Sequence, residues 1–70
     1  MPLYYFEPEG PGWDYEDNDG IELPNDAGAL AYARQIVREL REDGKIIEDI
    51  THVLVKKNTA RKIIFRISVK

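Results

Sequence analysis

Cysteine is absent from this 70-residue chain, which rules out disulfides and thiolate metal ligands and leaves the hydrophobic core to carry the fold alone. A chain of this length buries only about 60% of the surface it exposes when unfolded, so modest stability is expected. Long apolar runs are also missing. Met1 to Gly10 has neither a basic start nor a hydrophobic stretch, which reads against a secretory signal and a membrane span. These absences point to the reducing cytoplasm as the expected location. Serine and histidine occur once each, as Ser68 and His52. Nucleophilic catalysis needs a nucleophile beside a base that a third group orients, and the sequence offers no evident carboxylate to orient His52. His52 reads as a solvated strand residue, and the chain is expected not to be an enzyme and to need no cofactor.

Charge is missing locally rather than overall. The net charge is −3, yet Met1 to Ala33 holds eight acids and no Lys or Arg, while Thr51 to Lys70 holds six bases and no acid. Such asymmetry signals either charged partners or two ends of the chain that lie side by side.

What is present specifies a single α+β domain over residues 1–70, in the order strand, short strand, helix, strand, strand. Leu3 to Glu7 is an aromatic run whose alternation suits a strand. Residues 7–20 form an acidic loop with two prolines and three glycines. Ile21 to Leu23 makes a brief second strand, and Pro24 ends it. Asn25 or Asp26 caps an amphipathic helix over about 27–43, with Ala29, Leu30, Ala33, Ile36, Val37 and Leu40 on the buried face. Gly44 stops the helix, and Ile46, Ile47 and Ile50 close one end of the core. Residues 51–69 then alternate as a hairpin, Val53 and Val55 in one strand and Ile63, Phe65, Ile67 and Val69 in the other. Matching parities pair Val55 with Ile63, Val53 with Phe65, Lys56 with Lys62, Leu54 with Ile64 and His52 with Arg66. The helix therefore packs on one face of a small antiparallel sheet.

The same register sends Tyr5, Leu54 and Ile64 to the other face, where no second helix exists to cover them. An uncovered apolar patch of this kind marks a protein contact surface, and self-association or a protein partner is expected. Lys56, Lys57, Arg61, Lys62 and Arg66 make the hairpin basic, and they are the candidate contacts for an anion or a nucleic acid. The nearest neutralising charge is the chain's own acidic loop. In that loop, Asp14 to Gly20 invites a calcium reading, but neither possible frame places both the turn glycine and a terminal bidentate glutamate, so no metal site is assigned. Trp13 reads as an anchor folded back onto the domain. Arg34, Arg38 and Arg41 form a solvated line on the helix.

Several of these residues carry a resemblance. Met1, Pro2, Tyr4 and Phe6 at the start, the Asp17 to Gly20 turn with Glu22, Leu23 and Pro24 after it, the alanine-containing helix, and Val53 with Val55 resemble an uncharacterised bacterial family of short single-domain proteins of unknown function. The sequence departs from that pattern at Asn25, Asp26 and Gly28, where the family has Asp, an apolar residue and Ala, and near Ala60, where it has glycine. The resemblance implies this fold and a bacterial origin, among alphaproteobacteria, and brings no activity with it. The function expected is a small non-enzymatic protein-interaction domain using the outer sheet face. The alternative is a nucleic-acid-binding or regulatory module using the basic hairpin.

Overall fold

A computed structural model describes residues 1–11, 15–43 and 49–69. The expectations for Trp13, Asp14, Gly44, Ile46 and Ile47 lie outside the described residues. Four strands and one helix follow the expected order: β1 (Leu3–Glu9), β2 (Ile21–Glu22), α1 (Asp26–Asp43), β3 (His52–Lys57) and β4 (Lys62–Ser68). The sheet is antiparallel with strand order β2-β1-β3-β4. The two central strands thus come from opposite ends of the chain, and α1 is the crossover between β2 and β3.

The first strand runs two residues further than the sequence suggests, through Pro8 to Glu9. Proline survives in a strand only where its missing N–H faces no neighbour. Asn58 donates its N–H to the Leu3 carbonyl, so alternation turns the backbone of Leu3, Tyr5 and Glu7 toward β3 and that of Pro8 the other way. On that other side β2 pairs only with Leu3 and Tyr4, and Pro8 lies beyond its end.

Asn25 is the N-cap of α1: its Oδ1 accepts from Gly28 N–H at 2.8 Å and its carbonyl from Ala29 at 3.1 Å. The first bond satisfies a donor that the first helical turn leaves orphaned, and the second is the first hydrogen bond of the helix itself. Ala29, Ala33 and Val37 are buried, spaced four apart on one stripe. The two alanines bring the helix close to the sheet, where Tyr4, Phe6 and Val55 fill the space against them. A second cluster of Val37, Ile50, Val53 and Val69 packs the other end of the helix.

The hairpin register differs from the expected one. Val55 lies opposite Phe65 and Val53 opposite Ile67, whereas Lys56 lies opposite Ile63 and Lys57 opposite Lys62, with an irregularity between Val55 and Lys56. One extra residue, Ile64, is accommodated in β4 between the two registers, as in a β-bulge. A bulge breaks the alternation, so Ile64 packs against the core cluster of Tyr4, Phe6, Ala29, Ala33 and Val55. Its neighbour Ile63 stands outside, 53% exposed. Leu54 faces Arg66 rather than Ile64, and His52 faces Ser68 rather than Arg66.

Tyr4 ties the sheet to the start of the helix. Its buried hydroxyl donates to Asp26 Oδ1 at 2.7 Å, and Lys57 Nζ approaches the same oxygen at 2.8 Å. Burial, followed by the hydrogen bond and charge of Asp26, pushes the Tyr4 phenol from 10.0 to about 12. The Lys57 and Tyr4 hydrogen bonds hold the Asp26 carboxyl below its ordinary 3.8. A raised phenol pKa stabilises the fold fully below the unfolded value of 10.0, and that stabilisation is lost as pH rises through about 12. The lowered Asp26 pKa contributes above 3.8, and its share is lost as pH falls below that value. Thermal melts followed by circular dichroism should therefore show a midpoint that declines at both extremes. The alkaline decline should be shallower in Tyr4→Phe, and an identical slope in that variant would refute the assignment.

Candidate functional site

The sheet face turned away from α1 carries the residues on which a function could rest, and its cross-strand rows follow from the register. Tyr5, Lys56 and Ile63 make one row, Glu7, Leu54 and Arg66 the next, and Glu9, His52 and Ser68 the third. Two of the residues on this face, Tyr5 and Glu7, are nonetheless 6% and 5% exposed. A carboxylate that far from water needs charged or hydrogen-bonding partners. Glu7 has three: Lys56 Nζ at 2.6 Å, Arg61 Nη1 at 3.4 Å, and the backbone N–H of Asp17 at 3.1 Å.

Asp17 fastens the loop across this face. Its Oδ2 accepts from Phe6 N–H, taking the place of a strand partner where β2 has not yet begun, and its Oδ1 accepts from Asp19 and Gly20 N–H, all at 3.1 Å. Gly20, at φ 72°, sits against Leu3 and Tyr5, where a side chain would collide with both. The described part of the acidic loop therefore covers the β1 side of the outer face, and Glu7, Glu9, Glu16 and Asp17 meet the chain's own donors. Among the described residues no group of three His, Asp or Glu side chains is placed to hold a metal ion.

Arg61 is the second cover. Its guanidinium stacks on Tyr5, 4.3 Å from the ring centroid, and Nη1 donates to the Asp17 carbonyl at 3.1 Å. It does so from a left-handed backbone, φ 55°, in a turn closed by Arg61 N–H on the Asn58 carbonyl, Asn58 being left-handed as well at φ 61°. Such a backbone disfavours any side chain but glycine by about 1 kcal/mol or more. Replacement therefore has two opposed effects. Arg61→Ala should be less stable than Arg61→Gly by about 1 kcal/mol, because both lose the guanidinium while only alanine keeps the strain. Urea unfolding of the two variants measures this, and equal midpoints would remove the strain.

The basic candidates are largely matched by acids from the first half of the chain. Lys56 pairs with Glu7, Lys57 with Asp26, Arg61 with Glu7 and Glu16, and Arg66 with Glu9, its Nε and Nη2 both on Oε1. Lys62 has no carboxylate partner among the described residues. The side-by-side reading of the charge asymmetry is thus the geometry observed. Of the apolar candidates, Tyr5 is buried under Arg61, Leu54 is half-buried between Glu7 and Arg66, and Ile64 lies toward the helix. The apolar side chain that takes the outward place is Ile63. The adjacent pair Ile63 and Ile64 was the available signal, since two consecutive isoleucines satisfy either parity and permit a bulge.

His52 Nδ1 lies 2.9 Å from Thr51 Oγ1 and 3.8 Å from Glu9 Oε1, so a carboxylate does stand near the ring. The row is part of the sheet's outer surface. The apolar cavity of about 220 Å³ lies elsewhere, against α1, among Phe6, Tyr15, Leu40 and Ile50. Among the described residues its lining holds no charged group. Among the described residues no helix is long and apolar enough to cross a membrane.

A family model described as a domain of unknown function, DUF6894, matches residues 3–70. No curated protein and no solved structure matches the chain.

Proposed function

Because the chain belongs to the DUF6894 family, a domain of unknown function, we propose its role from its surface: a non-enzymatic protein-interaction module of the bacterial cytoplasm that self-associates through the outer face of β3 and β4. The observation that carries this reading is Ile63, 53% exposed beside the half-buried Leu54 on the part of the face that nothing covers among the described residues. A large aliphatic side chain held in water on a flat strand surface gains free energy when a partner covers it. Pairing of Lys56, Lys57, Arg61 and Arg66 with carboxylates leaves little hairpin charge for phosphates, which favours a protein partner over the nucleic-acid alternative. Light scattering during size-exclusion chromatography tests the proposal. The mass of the native chain should rise above 8.1 kDa with concentration, and Ile63→Asp should remain monomeric. A native chain that is monomeric throughout, indistinguishable from Ile63→Asp, would overturn it.

A further inference from the structure

We infer that the groove between α1 and the open edge of β4 is a docking site for an extended acidic peptide, which adds a strand to β4 and meets the arginines of the helix. β4 is the last strand of the sheet, with β3 as its neighbour on one side. Val69 donates its N–H to the Thr51 carbonyl beyond the start of β3. Alternation then directs the backbone groups of Ile67 and Phe65 toward β3 and those of Arg66 to the open side. Among the described residues no strand lies beyond β4, and such an edge is a template for main-chain hydrogen bonding.

Charge selects what pairs there. A groove of about 280 Å³ runs beside the edge, with Arg34, Arg38 and Arg41 on the helix wall and Val37 and Ile67 at its base. Arg41 is anchored by donating Nε–H to the Val69 carbonyl. Arg34 and Arg38 are exposed and have no carboxylate partner among the described residues, although Glu42 stands one turn beyond Arg38. Four bases of the hairpin are neutralised within the chain, while Arg34 and Arg38 line the groove without a carboxylate among the described residues. A strand laid on β4 turns alternate side chains toward α1. Carboxylates at those positions reach the guanidiniums, whose planar forks suit them, and their methylene stems lie over Val37 and Ile67. A phosphate polymer would use the same charges without the strand edge.

Fluorescence anisotropy with a labelled peptide of alternating Glu and Val, seven residues long to match β4, tests the inference on the full chain. Saturable binding is expected, weakened about tenfold or more in Arg34→Ala with Arg38→Ala. N-methylation of the peptide amides on the pairing edge should abolish it, and a Lys and Val peptide should not bind. Leu54 stands on β3, outside the groove, so Leu54→Asp should bind the peptide as the native chain does. A groove failure with self-association intact is thereby told apart from failure of the proposed function. Absence of binding at millimolar peptide, indifference to the arginine pair, or indifference to N-methylation would each overturn the inference. So would an oligothymidylate that binds more tightly and is lost in the same double variant, which would assign the groove to phosphates. Arginine-dependent self-association without peptide binding would assign it to a second copy.

Discussion

Ile50→Ala is expected to lower stability by about 3–4 kcal/mol, because the side chain is 1% exposed and is enclosed by Val37, Val53 and Val69. Two contributions add. The lost methylenes no longer leave water, and the space they vacate adjoins the apolar cavity that Ile50 already borders, so collapse around it is incomplete. Stability for a chain of this size is about 4–10 kcal/mol, and the loss is a large part of it. In urea the midpoint should fall sharply with little change of slope. Ile50→Val, which keeps most of the volume, should lose about 1 kcal/mol. A cost below that for alanine would mean that Ile50 is not part of this cluster.

Gly10→Ala should be nearly as damaging, by about 3 kcal/mol, for a steric reason. A Cβ on Gly10 would lie 1.7 Å from the Asp49 carbonyl oxygen and 3.1 Å from Ile50 Cα. Both are backbone atoms, so no rotamer change relieves the clash. The strands must separate where Thr51 donates its N–H to the Glu9 carbonyl at 2.8 Å, and the displacement carries Ile50 with it. Because both substitutions act on one segment, their effects should fall short of additive in the double variant. If Gly10→Ala unfolds at the native midpoint, the close approach of residues 10 and 49 is wrong.

The order of elements, the bounds of the helix and the two hairpin strands were legible because periodicity is a local property of the sequence. Ala29, Ala33 and Val37 announce their face by spacing alone, and type and place narrowed the cap to Asn25 or Asp26. Register was not legible. The run from Ile63 to Val69 alternates correctly for more than one pairing, and only tertiary packing chooses the one in which Ile64 turns inward. Nor was the burial of Glu7, since it depends on Asp17 and Arg61, ten and 54 residues away. Tyr5, Leu54 and Ile64 shared a face in the sequence reading, and each has a different environment in the structure for that reason. The turn did leave a trace: the expected family has glycine near Ala60, and a left-handed residue stands at Arg61.

The segregation of charge along the chain bears on how it reaches this state. With eight acids before residue 34 and six bases after residue 50, the denatured polymer is an electrical dipole whose tails attract. The β1 and β3 partnership requires those tails to meet across the whole helix, an entropically expensive closure. Coulombic attraction offsets part of that expense before any strand exists, and dissolved ions weaken it. Refolding should therefore slow as ionic strength rises.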